Sequence, residues 1–315
     1  MQVLHFSSGS PQADRRAQFA ETLSQLGDTT GAAEALASAL DLVPRWAAGW
    51  FRLGEYHEAA GNPEAAARAF GRAVEADPAD PLGAGIRRDL LTGTPLSESL
   101  PAAFVELLFD QYAPRFDSAL MGRLGYQGPQ ILCDTLDRAG IARVGHALDL
   151  GCGTGLTGAV LRPRCDRLTG IDISARMLAE ARAKGIYDHL DKADIGTLEI
   201  GPRYDLIAAN DVFNYLGALE RVISWCAGSL APDGALVFTV EQGDRGVALH
   251  ETRRFRHARR YVTDLLAEAG FARVEVTPCV LRHDGGAPIR ALAVTAQELT
   301  PRTTRQSDGE SEIAA

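Results

Sequence analysis

Hydrophobic and polar residues follow two different patterns along the chain, and the change falls near residue 98. From there to about residue 297, short apolar runs of strand length are separated by segments with the period of an amphipathic helix. This alternation predicts an α/β domain with a parallel sheet covered by helices on both faces. The clearest helices are expected at 175–184, 217–230 and 259–269, the last ended by Gly270. Strands are expected near 145–150, 167–172, 187–190, 204–210, 234–241, 271–278 and 290–296.

The earlier residues have helical patterning throughout and repeat with a period of 34 residues. Sliding the sequence by that period aligns Gly27 with Gly61, Ala32 with Ala66, Ala35 with Ala69, Ala39 with Ala73 and Pro44 with Pro78. The period is that of the tetratricopeptide repeat (TPR), and it predicts an all-α helical-repeat domain. The second copy, 47–80, has the typical residues of the repeat at Trp50, Leu53, Gly54, Ala66, Phe70, Ala73 and Pro78, and His57 replaces the usual tyrosine.

The first copy, 13–46, matches the repeat less well, and residues 82–91 are expected to form a short capping helix. Two repeats are fewer than the three or so that usually bury a core, so we expect another surface to cover them. The predicted division of the chain is an N-terminal segment 1–12, repeats 13–93, a linker 94–100, an α/β domain 101–297 and a disordered tail 298–315.

Charge and cysteine content exclude several classes of protein. The net charge is −9, from 32 basic and 41 acidic residues, which disfavours nucleic acid and anionic membranes as partners. The five cysteines are scattered, with no C-x-x-C pair, so neither a disulfide framework nor a zinc site is expected. The first residues lack the features of a signal peptide, and we predict a cytoplasmic protein without a membrane anchor.

A glycine-rich turn follows the first predicted strand of the α/β domain. The strand ends in Asp149, and Gly151, Gly153 and Gly155 come next at alternate positions. Such a turn lets the backbone approach a cofactor that a Cβ would keep away. The dinucleotide motif G-x-G-x-x-G would need a third glycine where Leu156 stands, so NAD and FAD are disfavoured.

Acidic and amide side chains end the next three strands at the same edge of the sheet. Asp172 lies where a carboxylate can accept both hydroxyls of a ribose, and Asp194 where one can accept from an adenine amine while the N–H of Ile195 reaches a ring nitrogen. Asn210 and Asp211 end the fourth strand. The sequence therefore predicts a nucleotide-like cofactor at this edge.

This series of motifs resembles the class I S-adenosylmethionine-dependent methyltransferases over residues 100 to 297. The resemblance implies a Rossmann-like seven-stranded sheet with S-adenosyl-L-methionine as cofactor. It implies that Asp149 and the three glycines hold the methionine part of the cofactor and that Asp172 binds the ribose. It further implies that Ile173 packs on the face of the adenine and that Asp194 and Ile195 bind its edge. Asn210 is also expected in the cofactor site. Residues 109–126 are similar to the segment that covers the cofactor in predicted methyltransferases with TPR repeats. This resemblance implies that Tyr112 contacts the cofactor. For Phe116, a place in the same cover and simple packing of the helix on the sheet are equally good explanations.

Methyl transfer is an in-line displacement, so a general base is needed only for an acceptor whose proton has a high pKa. His250, His257, Asp211 and Tyr215 are the candidate bases, and Asp211 and His257 are preferred, although a capping or solvated role explains each of them. We interpret Cys152 as a small residue that fits the turn, not as a nucleophile.

The fourth strand ends in Asn-Asp-Val-Phe without the two prolines typical of methyltransferases that act on exocyclic amines, which disfavours planar amide and base acceptors. Five arginines in 252–260 fit an acceptor with a carboxylate or phosphate, although a solvated face explains them more simply. The favoured hypothesis is methyl transfer to a small molecule. The alternatives are a protein acceptor recruited through the repeats and a noncatalytic scaffold; a protein partner or self-association through the repeats is also expected.

Overall fold

The structure is a computed structural model, and it describes residues 7–93, 100–250 and 252–300. Most of the predicted linker, the predicted tail from residue 301 and the first residues of the N-terminal segment lie outside the described residues. Within the described part, no helix is both long and apolar enough to cross a membrane.

The N-terminal half consists of helices, in the order that the 34-residue period predicts. They are α1 (Pro11–Gln25), α2 (Thr29–Leu40), α3 (Ala47–Ala59), α4 (Pro63–Ala76) and α5 (Ala84–Thr92). The first two helices start at side-chain caps, because Ser10 Oγ accepts from the Ala13 N–H and Asp28 Oδ1 from the Gly31 N–H. α5 lies where the sequence predicts the capping helix and follows Gly83, whose φ is 69°.

Small residues let the paired helices of this half approach closely. A Cβ added at Gly54 of α3 would lie 2.5 Å from the Phe70 ring of α4, whereas one added at Gly71 of α4 would meet nothing nearer than 3.9 Å. We expect Gly54→Ala to destabilise the protein by about 1–3 kcal/mol through overpacking. Gly71→Ala is the matched control, expected to add about 0.5–1 kcal/mol through helix propensity. Urea unfolding of both variants checks this, and equal effects would contradict the packing.

The C-terminal half is one nine-stranded sheet. Its strands are β1 (Val144–Leu150), β2 (Cys165–Asp172), β3 (His189–Lys192), β4 (Tyr204–Ala209), β5 (Leu230–Gly243), β6 (Val247–Leu249), β7 (Phe255–Ala258), β8 (Phe271–Asp284) and β9 (Ala287–Leu299). The parallel part has the order β3-β2-β1-β4-β5, and β9 pairs antiparallel with β5 and with β8. β7 pairs parallel with the end of β5 and antiparallel with β6.

All seven predicted strands are present, and two differences concern the site. β6 and β7 were not predicted, because they are short and their residues are largely charged or small, without the alternation that marks a half-buried strand. β9 continues to Leu299, so residues 298 and 299, assigned to the tail from the sequence, belong to the sheet.

Helices cover both faces of this sheet. They are α8 (Gly128–Arg138), α9 (Leu156–Leu161), α10 (Ala175–Ala183), α11 (Glu220–Ser229) and α12 (Arg259–Ala269). Side chains along β1 point alternately to the two faces of the sheet, so the hydrophobic core has one part on each face. Leu148 and Leu150 pack toward α11 and α12, whereas Ala147 packs toward α8 and α9. This leaves the carboxyl ends of the parallel strands as one open edge, where doubly wound sheets bind ligands.

A cap crosses that edge. It consists of α6 (Ala102–Tyr112), a 3-10 turn at Ala113–Arg115, α7 (Phe116–Ser118) and a π-helical turn at Ala119–Arg123. Phe104 of α6 packs with Ile86 of α5, Tyr215 and Phe255 in one buried cluster, which joins the repeat half to the cap and the sheet. The repeats are therefore covered by the cap, as their small number requires.

Candidate functional site

A cavity of about 600 Å³ lies between the carboxyl edge of the sheet and the cap. The strand ends supply one wall, with the glycine turn, Asp172, Asp194 and Asn210. The cap supplies the opposite wall, with Val105, Phe109 and Phe116 among its apolar side chains. An enclosed, mostly apolar site with a few converging polar groups is typical of cofactor and substrate binding.

The glycine turn forms the floor of the cavity. Gly151, Gly153 and Gly155 all have positive φ, and a Cβ at Gly151 would lie 2.5 Å from Val212 Cγ2. A Cβ at Gly153 would meet nothing within 4 Å, so this position leaves open space for a ligand. Cys152 between them is buried, and its burial raises the pKa of the thiol far above its ordinary range. The thiol thus stays neutral, in agreement with a packing role.

Asp172 closes the turn against β2. Its Oδ2 accepts from the Gly153 N–H and its Oδ1 from the Ser174 N–H, both at 2.8 Å. Burial raises the pKa of this carboxyl group, and the two backbone donors oppose that shift. Each carboxylate oxygen can accept a further hydrogen bond, so Asp172 is suited to hold a pair of vicinal hydroxyls.

Asp194, Ile195 and Ile173 line the cavity together. Asp194 Oδ1 accepts from the Gly196 N–H at 2.8 Å, which fixes the carboxylate after β3. A flat base fits between apolar side chains while a carboxylate accepts from its amine. The donor set and the open space at Gly153 therefore fit S-adenosylmethionine.

Three residues predicted for the cofactor do not line the cavity. Asp149 and Gly155 lie behind the turn, and Tyr112 is 52% exposed on the outer face of the cap. The 3-10 turn at Ala113–Arg115 breaks the helix after Tyr112, so Tyr112 and Phe116 do not share a face, and Phe116 alone reaches the cavity.

Asp149 is a buried carboxyl group behind the site. Its Oδ2 accepts from the Tyr187 hydroxyl at 2.7 Å, and its Oδ1 has no hydrogen-bond partner among the described residues. Burial raises its pKa from 3.8 to about 7. Above that pH the folded protein contains a buried charge that hydrogen bonding compensates only in part.

The raised pKa predicts the pH dependence of stability. Between pH 3.8 and about 7 the folded state keeps the Asp149 proton and the unfolded chain does not, so stability falls as pH rises through this window. Asp149→Asn removes this loss. We expect its stability relative to wild type to grow with pH by up to about 1.4 kcal/mol per unit, and to level off above neutrality. Urea unfolding at a series of pH values measures this, and a difference that does not change with pH would contradict it.

The cap is tied to the sheet by three carboxylates that the sequence did not single out. Asp110 accepts from the Ser174 hydroxyl at 2.6 Å, Asp117 pairs with Lys184 at 2.7 Å, and Glu106 pairs with Lys192 at 2.6 Å. Lys184 and Lys192 are the only lysines of the chain. Since both of them hold the cap, the charge pattern agrees with a cover over the cofactor site.

The far end of the cavity carries the polar side chains that follow β4. Thr239 Oγ1 donates to Asn210 Oδ1 at 3.0 Å and accepts from the Asp211 N–H at 2.8 Å. Asp211 has a φ of 60°, and Arg282 of β8 donates to both of its carboxylate oxygens, at 3.1 and 2.9 Å. This carboxylate is therefore engaged by a guanidinium.

Arg282 joins Asp211 to a second buried carboxylate. Glu241 of β5 contacts Arg282 and has no exposed surface, and its backbone N–H donates to Asn214 Oδ1 at 2.7 Å. Arg254 also approaches both carboxylates, and its guanidinium lies 5.3 Å from the centre of the Tyr215 ring. Burial disfavours the charge of Arg254, but the two carboxylates hold its pKa above the ordinary value.

Neither histidine candidate reaches the cavity. His257 lies in β7; it is fully buried and its Nε2 is 2.9 Å from the Gly217 carbonyl oxygen. Burial lowers its pKa. His250 pairs with Thr252 away from the cavity lining. Among the described residues, no cluster of three or more His, Cys, Asp or Glu side chains could hold a metal ion.

The arginines of 252–260 divide into several environments. Arg254 lines the cavity, Arg253 lies over the Phe104 ring on the other side of the cap, and Arg256 is near Glu241. Arg259 and Arg260 are exposed on α12, which agrees with a solvated role for that part of the run.

Models of two protein families match separate parts of the chain. A model of a methyltransferase domain matches residues 148–236, and a model of the tetratricopeptide repeat matches residues 47–80. The C-terminal half is therefore similar to methyltransferase domains over residues 148–236. It follows a TPR-containing half, as the sequence motifs indicated, and the cofactor of this family is S-adenosylmethionine.

Relatives of the methyltransferase domain are similar over part of their length. A trans-aconitate 2-methyltransferase of Paracidovorax citrulli is 31% identical over 160 residues, which are 50% of this chain and 61% of the relative. A malonyl-(acyl-carrier protein) O-methyltransferase of Enterobacter lignolyticus is 31% identical over 126 residues, 38% of this chain and 50% of the relative. The chain thus spans between half and about three fifths of the length of these relatives.

A solved structure confirms the fold. In the complex between the Haloferax volcanii Trm112 methyltransferase activator and a methyltransferase, one chain superposes with a TM-score of 0.50 at 19% identity. The match covers 61% of this chain and 98% of that chain. At this identity the likeness concerns the fold alone.

Proposed function

We propose that the protein transfers a methyl group from S-adenosylmethionine to a small-molecule acceptor. The observation that carries the proposal is one cavity with two unlike ends. Asp172 and Asp194, which are suited to bind a nucleoside, line one end, and Tyr126, Tyr215 and Arg254 line the other. The trans-aconitate relative is named for a small-molecule acceptor, which supports this reading.

The residues act mainly by binding and positioning. The cofactor supplies a methyl group on a positively charged sulfur, and Asp172, Asp194 and Ile195 would hold its nucleoside part. The cap excludes water, and a fixed line between acceptor and methyl can contribute up to about 7–11 kcal/mol in favourable intramolecular models. Asn210 orients the turn after β4 through Thr239. Since Asp211 is engaged by Arg282, we assign it a structural role in place of the predicted base.

A protein acceptor held by the repeats is the second candidate, because a groove of about 940 Å³ lies between α1, α3 and the cap. However, the groove and the cavity lie on opposite faces of α6. Leu107, Leu108 and Tyr112 face the groove, whereas Val105 and Phe109 face the cavity. A segment bound in the groove would be separated from the methyl group by the helix. The groove is therefore better suited to a protein partner or to self-association than to a methyl acceptor. The cytoplasmic location of the protein stays a prediction.

Labelled methyl transfer tests the proposal. The full-length protein is incubated with methyl-labelled S-adenosylmethionine and either the ultrafiltered small molecules or the proteins of a cell extract. We expect label in the small-molecule fraction and none with Asp172→Ala. Label confined to proteins would favour the recruiting alternative. Failure to bind S-adenosylhomocysteine in calorimetry would favour a noncatalytic scaffold, which the intact glycines and acidic residues argue against.

A further inference from the structure

Arg254 is only partly used by the fold. Its Nη1 lies 3.5 Å from Asp211 Oδ1 and 3.4 Å from Glu241 Oε1, both longer than the 2.9 Å between Arg282 and Asp211. Its other two nitrogens have no hydrogen-bond partner among the described residues. The side chain is 22% exposed and lines the cavity. A guanidinium in this position can donate to a further acceptor with two parallel N–H groups.

The charges around Arg254 leave room for an anion. Three guanidinium groups surround the two buried carboxylates, because Arg256 lies 3.8 Å from Glu241 Oε2 in addition to Arg254 and Arg282. One positive charge is therefore in surplus around the two carboxylates. Arg254 is the one of these three arginines that lines the cavity, so an anionic ligand bound there would balance the surplus charge.

Two tyrosine side chains are among the lining residues of the cavity. Tyr126 and Tyr215 are buried and line the cavity, and neither hydroxyl has a hydrogen-bond partner among the described residues. Burial raises the pKa of both groups, so at neutral pH they are neutral donors. Arg254 and the two hydroxyls are therefore hydrogen-bond donors that have no acceptor in this part of the fold. A carboxylate, which accepts hydrogen bonds through both of its oxygens, would pair with them.

The described lining of the cavity contains no free general base. It has no histidine, Asp172 and Asp194 lie at the nucleoside end, and Asp211 is engaged by Arg282. Glu220 also lines the cavity, but it is exposed to solvent and accepts from the Tyr261 hydroxyl at 3.1 Å. An acceptor that must lose a proton of high pKa therefore finds no group to take it.

Building on the proposed function, we infer that the acceptor is a carboxylic acid, held at Arg254, Tyr126 and Tyr215 as its carboxylate and methylated on oxygen. A lone pair of the carboxylate oxygen forms the bond to the methyl carbon, and the bond from carbon to sulfur breaks with its electron pair going to sulfur. The negative charge of the acid and the positive charge of the sulfonium cancel. The products are a methyl ester and S-adenosylhomocysteine, and no proton moves.

Binding to the full-length protein saturated with S-adenosylhomocysteine tests this inference by calorimetry. The probes are propionate, hexanoate, glutarate and phenylacetate, each compared with its primary amide. We expect at least one acid to bind about tenfold or more tightly than its amide, because only the acid balances the guanidinium charge. Arg254→Gln should abolish that preference and Arg254→Lys should keep part of it. Arg253→Gln, the adjacent arginine on the other side of the cap, is the matched control and should change nothing.

The outcomes separate the two proposals. The inference would be overturned if the acids bind no better than their amides, or if the preference for acids survives in Arg254→Gln. Either result would leave the proposed methyltransferase function intact. The proposed function itself would be overturned if S-adenosylhomocysteine does not bind. If Arg254→Gln does not fold, Tyr215→Phe replaces it, with a smaller loss of the preference expected.

Alkali treatment of the labelled products is a second test. Label transferred to extract molecules should be released as methanol by mild alkali, as from an ester. Label stable to alkali would contradict carboxylate methylation.

Discussion

Asp172→Ala is expected to weaken the binding of S-adenosylhomocysteine by about 100-fold or more, equivalent to about 2.7 kcal/mol. The substitution removes the acceptor for two ribose hydroxyls, and hydrogen bonds to a charged group contribute about 1.5–3 kcal/mol each. It also leaves the N–H groups of Gly153 and Ser174 without their partner, which loosens the turn that lines the cavity. Equilibrium dialysis with labelled S-adenosylhomocysteine measures the change.

A matched control lies in the same strand. Asp166 is near the start of β2, where its side chain is 64% exposed and pairs with Arg143 far from the carboxyl edge. Asp166→Ala should bind with wild-type affinity. An unchanged affinity in Asp172→Ala, with folding confirmed by circular dichroism, would show that the ribose is held elsewhere.

The second large effect concerns the buried ion cluster under the acceptor end. Arg282→Met is expected to reduce the free energy of unfolding by about 3–5 kcal/mol, because it leaves the buried carboxylates without their main counterion. The Arg282 side chain is only 5% exposed, and Glu241 is 1% exposed. Unfolding in urea at neutral pH measures the loss.

A solvent-exposed arginine that also pairs with a carboxylate is the control, because it shows how much of the loss of stability is due to burial of the ion pair. Arg260 pairs with Asp264 at 3.4 Å on α12, and its side chain is 92% exposed. Arg260→Met should change stability by no more than about 0.5 kcal/mol, as is usual for surface pairs. Similar losses in both variants would mean that the cluster around Arg282 is solvated and contributes no more than a surface pair.

The sequence predicted the seven main strands and the nucleoside end of the site for a single reason. In a parallel sheet the carboxyl ends of neighbouring strands meet at one edge, so residues far apart in the chain can be placed together from strand positions alone. Asp172 is the last residue of β2, Asp194 comes two residues after β3 and Asn210 directly follows β4, and the structure brings all three to one cavity.

The acceptor end could not be predicted in this way. Arg282 and Glu241 lie in β8 and β5, inside strands whose pairing with distant segments decides what they face. Their contacts depend on an antiparallel addition to the sheet and on a bulge near Arg282, neither of which has a local signal. His257 was misplaced for a related reason, because the short strand that buries it has no clear period.

A crystal structure of the full-length protein with S-adenosylhomocysteine tests the central claim most directly. We predict that the ligand lies in the cavity under the cap, with both ribose hydroxyls within hydrogen-bond distance of Asp172 and the adenine amine beside Asp194. The sulfur should point toward Arg254 and Tyr215. A ligand bound in the groove between the repeats and the cap, or with its ribose away from Asp172, would contradict this account of the site.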